Sequence, residues 1–274
     1  LGGRGALHGM PVSVKDHFGV RQFPTWAGTS KELPMRWRRE GPVVQALRRQ
    51  LGVITGKTVA VELAFGGIGV NPHFGSPVNP WDAEVDRVSG GSSSGAGVSL
   101  WEGTALVALG TDTAGSARIP ASMTGVVGLK TTAGRWSTDG VVPLSPTLDT
   151  VGVLTRTVAD AAYAFAALDG GDEAPRGFVE RLAEDEAPVR LGVIREQLWS
   201  QASPGVVDCV EETLRDLSRD GVKIIEAALP EAQDAEDLLR CGSVVSAELD
   251  EFLAAELPDW RDLLDATVAS RIAD

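Results

Sequence analysis

Ala105–Leu109 is an apolar run that delivers the chain into Gly110-Thr111-Asp112-Thr113-Ala114-Gly115-Ser116-Ala117-Arg118-Ile119-Pro120. A short buried strand that empties into small residues around one serine reads as part of an α/β fold with chemistry at the strand's end. The same rhythm recurs on either side. Pro11–Val14 reads as a buried strand with Lys15 at its end, and Gly125–Leu129 as another. Val43, Val44, Ala46, Leu47 and Leu51 suit one helical face, followed by a strand over Gly52–Thr55. Thr157 is placed to cap a helix that runs to Leu168, where Gly170-Gly171 closes it.

At 274 residues and 43% apolar content, the chain has enough material to bury a substantial core. We read it as a single domain: a catalytic core over 1–160, a linker or surface loop over 171–188, and an acidic α/β extension of the same sheet over 189–274. That extension repeats strand Arg190–Ile194, helix, strand Val222–Glu226, helix, with Val207, Val210, Leu214 and Leu217 on one stripe. From Asp234 onward the pattern is helical and acidic.

The net charge of −13 is divided unequally, +3 over residues 1–160 and −16 over 161–274. An acidic surface argues against nucleic acid, whose phosphates need a positive field. Arg36-Trp37-Arg38-Arg39 is then a solvated loop or helix start. Two cysteines, Cys209 and Cys241, make neither a disulfide framework nor a metal motif. No apolar run reaches the roughly 20 residues needed to span a bilayer, and the expected compartment is the cytoplasm. Because the chain starts at Leu1 and chemistry begins at Lys15, it is expected to be a fragment, incomplete at both ends.

Two further segments bear on Ser116. Gly90-Gly91-Ser92-Ser93-Ser94-Gly95 places Ser92 24 residues upstream, and Lys15 closes Gly9-Met10-Pro11-Val12-Ser13-Val14-Lys15. A serine among small residues can attack an acyl carbon while neighbouring N–H groups hold the oxyanion. A free ammonium, with a pKa of about 10.4, is a poor base at neutral pH. Burial disfavours its charged form, and the apolar flank Pro11–Val14 suits burial. Lysine and a second serine thus form a proton relay that needs no histidine.

This constellation resembles the amidase signature family from about Gly9 to Thr157. Gly52–Thr58, Gly125–Lys130 and Leu148–Gly152 are similar to further family blocks. The resemblance implies an α/β/α sandwich with a mixed, largely parallel central sheet covered by helices on both faces. It also implies roles: Ser116 the nucleophile, Ser92 the bridging serine beside a cis peptide bond, and Lys15 the base. The backbone N–H groups of Thr113, Ala114, Gly115 and Ser116 would form the oxyanion hole. Asp112 and Arg118 would brace the loop, and Ser93 would complete the hydrogen bonds around Lys15 and Ser92. Where the family usually has glycine the chain has Ala114, which would be strained if φ there is positive.

Other patterns weigh less. Gly52-x-x-x-Gly56-Lys57-Thr58 is one residue short of a phosphate-binding loop. His8, His17 and His73 have no ligand spacing and read as ordinary loop histidines, so neither metal nor cofactor is expected. Trp26, Trp101 and Met123 suit core packing better than a pocket wall.

The expected reaction is hydrolysis of a small carboxamide through a seryl acyl-enzyme. Carbamate or ester hydrolysis would follow the same steps. A tRNA-dependent amidotransferase subunit is disfavoured, since members of that branch look to carry glutamine where this chain has Ile119. A non-catalytic binding relative is the reading from another class. Neither nucleic acid nor membrane is an expected partner, and a homodimer is the assembly left open.

Overall fold

The computed structural model describes residues 5–82, 84–184, 187–195, 199–240 and 244–273, the last two spans with backbone only at 239, 240 and 273. The chain divides into two compact units, Leu1–Leu182 with Val244–Asp274, and Ala183–Ser243.

The first unit is built on a five-stranded sheet of order β2-β1-β3-β5-β4. Its strands are β1 (Pro11–Lys15), β2 (Val53–Thr58), β3 (Val107–Asp112), β4 (Val127–Lys130) and β5 (Thr150–Thr155). β1 pairs in parallel with β2 and β3, whereas β5 runs antiparallel to both β3 and β4. The mixed sheet follows the expectation, with its parallel half confined to β2-β1-β3. Val12 opposes Val107 and Val14 opposes Leu109, so the carboxyl ends of β1 and β3 finish at one rim. Asp112 opposes Thr150, which brings the start of β5 to the same rim. Ligands of open α/β sheets gather at such carboxyl ends.

The helices pack on this frame for local reasons. In α1 (Pro42–Arg49), Val43, Val44, Ala46 and Leu47 are buried against Val12, Val14 and Leu109. Leu51 falls outside that face: the helix has ended, and Leu51 is exposed with φ of 60°. In α2 (Ser94–Trp101) the residues are mostly small because α3 (Arg118–Thr124) lies so close. A Cβ on Gly97 would meet Thr124 Oγ1 at 2.2 Å. Thr157 accepts from Asp160 N–H at the start of α4 (Val158–Asp169), and Gly170 closes it with φ of 74°. A second core joins Leu33, Leu63 and Val142 to Leu249, Phe252 and Leu253 of a helix over Val244–Glu256.

Two expectations need correction. The segment 171–188 is not all loop, since Pro175–Ala183 is helical. Nor do the later strands extend the first sheet: β6 (Arg190–Val193) and β7 (Lys223–Glu226) form a separate parallel pair in the second unit. That unit carries the helices Pro204–Arg219 and Glu231–Arg240, whereas 244–273 returns to the first unit. The contiguous acidic composition of 189–274 conceals this division, because surface charge does not report which core a helix joins. Cys209 is an exposed free thiol; Cys241 lies outside the described residues.

Candidate active site

β1 places Lys15 at the rim with no exposed surface. Its Nζ donates to Ser92 Oγ at 2.7 Å and to Thr111 Oγ1 at 2.6 Å. Burial lowers the Lys15 pKa to about 7, although the carboxylates of Asp149 and Asp112 pull it upward. Near neutral pH a large share of Lys15 is therefore uncharged, as a general base requires.

Ser92 is also fully buried, and the Gly91–Ser92 peptide bond is cis. Ser92 C=O accepts from Val61 N–H at 3.1 Å. Ser93 N–H donates to Ser116 C=O at 3.2 Å, tying the two serine loops together. Ser93 Oγ donates to Thr111 C=O at 3.3 Å, so it braces β3; the hydrogen bond to Lys15 or Ser92 expected of it is not made among the described residues. Among the described residues, Ser116 Oγ has no hydrogen-bonding partner; the link between the two serines runs through the backbone.

Asp112 holds the Ser116 loop. Its Oδ1 accepts from Gly115 N–H and Arg118 Nη2, and its Oδ2 from Ala117 N–H, Arg118 N–H and Arg118 Nε. Burial alone would raise its pKa; the Arg118 and backbone hydrogen bonds outweigh that and hold the carboxyl below its usual range. Gly115 N–H is consequently committed to Asp112 and withdrawn from the expected oxyanion set. The N–H groups of Thr113, Ala114 and Ser116 donate to no acceptor among the described residues. Ala114 is not strained: the positive φ in this loop, 125°, belongs to Gly115.

Thr113 Oγ1 donates to Asp149 Oδ1 at 2.5 Å, and Asp149 Oδ2 accepts from the N–H groups of Leu144 and Ser145. Burial raises the Asp149 pKa. Thr111 and Asp149 were missed as site residues. Thr111 stands in the quoted stretch, but its contact with Lys15 follows from strand pairing.

The segment Phe65–Val70 borders the serine loops, with Gly91 N–H donating to Gly67 C=O at 2.8 Å. Leu63 and Ala64 precede it with φ of 46° and 61°. Two consecutive side-chain-bearing residues in the left-handed region are costly and tend to cluster at functional sites.

Other singled-out residues lie elsewhere. Lys57 forms an ion pair with Asp16 at 2.7 Å and donates to Pro24 C=O and Thr25 Oγ1, which explains its glycine-flanked strand without any phosphate. His17 is no surface-loop histidine: it is fully buried, with neither ring nitrogen hydrogen-bonded to a described residue, and burial drives its pKa well down. His73 Nε2 meets Glu62 Oε1 at 3.0 Å. Trp26 lines a cleft with Asp16, Lys57 and Phe74, while Trp101 and Met123 are surface residues, not core.

The family model described as Amidase matches residues 2–274. The chain is similar to 2-amino-5-chloromuconic acid deaminase of Comamonas testosteroni, 49% identical over 268 residues, which is 98% of this chain and 57% of that one. It is similar to indoleacetamide hydrolase of Pseudomonas savastanoi, 37% identical over 220 residues, 80% of this chain and 46% of that one. A solved structure described as an amidase superimposes with a TM-score of 0.86 at 34% identity, covering 98% of this chain and 59% of that one. The chain thus spans about half the length of the curated relatives it matches. With the serine–serine–lysine arrangement on the sheet rim, these likenesses place the chain in the amidase signature family.

Proposed function

We propose that the chain hydrolyses small carboxamides through a seryl acyl-enzyme, with Ser116 as nucleophile, Ser92 as relay and Lys15 as base. The observation that carries this reading is a fully buried lysine, half-neutral near pH 7, whose Nζ contacts Ser92 Oγ. Neutral Lys15 takes the Ser92 hydroxyl proton as Ser92 takes the Ser116 proton, and Ser116 Oγ bonds to the carbonyl carbon. The oxyanion is held by N–H groups among Thr113, Ala114 and Ser116. The relayed proton then passes to the leaving nitrogen, the C–N bond breaks, and ammonia or an amine departs. Water attacks the ester by the same relay, releasing the carboxylic acid and restoring Ser116. Catalytic hydrogen bonds are often loose before substrate binds, and the relay requires the Ser116 hydroxyl to reach Ser92 Oγ once substrate is in place.

Relatives named as a deaminase and as an acetamide hydrolase support nitrogen release as the outcome. The exposed thiol of Cys209 suits a reducing compartment such as the cytoplasm; assembly as a homodimer is a matter for sedimentation. A serine-directed fluorophosphonate tests the mechanism: stoichiometric labelling, abolished by Ser116→Ala, is expected. A folded chain that takes no label would be a binding protein instead.

A further inference from the structure

Two Asp-Thr dipeptides meet across the end of the sheet, Asp112-Thr113 leaving β3 and Asp149-Thr150 entering β5. Asp112 opposes Thr150 in the antiparallel register, and each threonine hydroxyl donates to the other dipeptide. Thr150 Oγ1 donates to Asp112 C=O at 2.6 Å, and Thr113 Oγ1 donates to Asp149 Oδ1 at 2.5 Å. The first bond ties β5 to the last residue of β3. The second reaches past the strand into the Ser116 loop.

Two carboxylates thus hold that loop at two points. Asp112 Oδ1 takes Gly115 N–H, and Asp149 Oδ1 takes the Thr113 side chain. Between these anchors the N–H groups of Thr113 and Ala114 donate to no described residue. Asp149 is itself fixed, because its Oδ2 accepts from the N–H groups of Leu144 and Ser145 at 2.9 and 3.1 Å. The turn that supplies them has a brace on its far side. Glu248, on the helix over Val244–Glu256, accepts from Ser145 Oγ, Thr147 Oγ1 and Thr147 N–H. Leu144 is buried in one core with Leu249 and Phe252 of that helix. A run of hydrogen bonds therefore passes from Glu248 through Ser145 and Asp149 to Thr113.

An oxyanion donor is effective when it is aligned before charge develops and needs no reorganisation then. Thr113 is β-branched, so its few rotamers are tied to its backbone angles. Pinning its hydroxyl restricts the direction of its own N–H. Resting on the Ser116 reading above, we propose that Asp149 is a positioning residue for acylation: it holds Thr113 so that the Thr113 N–H meets the oxyanion, with Glu248 bracing the turn behind it.

Saturation kinetics of fluorophosphonate labelling test this, since they separate the limiting rate from the affinity for the probe. The Asp149 charge also raises the Lys15 pKa. Rates are therefore read at about pH 9, where Lys15 is largely uncharged with or without that charge. Thr113→Val keeps the N–H, the shape and the Leu144–Asp149 turn but breaks the tie. Its limiting rate should fall roughly 10- to 100-fold at a half-saturating concentration within about twofold of wild type, part of the 10²–10³ that one donor contributes. Thr113→Ser keeps the hydroxyl and should label within about threefold of the wild-type chain. Asp149→Asn should cost a similar factor alone but less than about threefold when added to Thr113→Val, since both act on one bond. Unchanged labelling of Thr113→Val, an equal loss in Thr113→Ser, or losses that multiply in the double variant would overturn the Asp149 role and leave Ser116 as nucleophile. A wild-type chain that takes no label at Ser116 overturns the acyl-enzyme reading and the positioning role with it.

Discussion

Lys15 Nζ and Ser92 Oγ lie 2.7 Å apart, and neither residue has any exposed surface. An amine confined in this way gains little from water as a charged group, so its proton leaves near neutrality. Its reactivity should follow that loss.

Fluorophosphonate labelling of Ser116 should accelerate with pH, reach half its maximum near 7, and fall about tenfold per pH unit below that, as expected for a base that must be unprotonated. Lys15→Met, which fits a buried site, should slow labelling by about 10²–10⁴-fold and remove the pH step. A flat profile in the wild-type chain would exclude Lys15 as the base. The same shift has a stability consequence. The folded pKa of about 7 lies below the 10.5 of a solvated lysine, so between these values the unfolded chain binds more protons. This group's contribution to stability therefore rises with pH across that window.

Asp112 supplies both carboxylate oxygens to the Ser116 loop. In Asp112→Ala the N–H groups of Gly115 and Ala117 lose their acceptor, at about 1–3 kcal/mol each when buried. Urea denaturation should show a loss of at least about 2 kcal/mol, and Ser116 labelling should drop even at temperatures where the variant is folded.

The Asp16–Lys57 pair is largely buried, its side chains 13% and 8% exposed. Lys57→Met strands a carboxylate, a change that costs about 3–5 kcal/mol in such settings. Burial already raises the Asp16 pKa while Lys57 lowers it, so removing Lys57 sends it higher. A carboxyl with a raised folded pKa loses stability as pH rises through that value. The Lys57→Met penalty should therefore be smaller in mild acid than at pH 8, and Asp16→Leu combined with Lys57→Met should recover much of it. Melting curves at the two pH values decide this.

Gly97→Ala should destabilise the chain by about 1–3 kcal/mol, the usual cost of overpacking, because the new methyl would meet Thr124 Oγ1 at 2.2 Å. Shortening the neighbour in Gly97→Ala with Thr124→Ala should return part of the loss.

Much of the candidate site is legible in the sequence because strand-end residues and small-residue loops advertise themselves. Lys15, Ser92 and Ser116 each sit in such a segment, and the first and third close or follow apolar strands. Thr111 and Asp149 act through pairing across β1, β3 and β5, which no single stretch encodes. The α2 segment looks like a loop by composition; its glycines and serines serve close approach to α3. Leu63 and Ala64 give no local sign of left-handed backbone, since leucine and alanine disfavour it and tertiary packing imposes it. Glu248 stands on a remote helix, and the contacts it makes with Ser145 and Thr147 exist only after Val244–Asp274 packs within the first unit.

The two hydroxyls that receive Lys15 lie 77 and 96 residues further along the chain. Contacts this distant form late, after the entropy of closing long loops has been overcome. A half-folded or nicked chain consequently carries a lysine that is fully ionised and a serine no more reactive than any other alcohol. Chemical competence should arrive in one step with the closing of the sheet, and the gain of acylation during refolding would serve as a clock for that event.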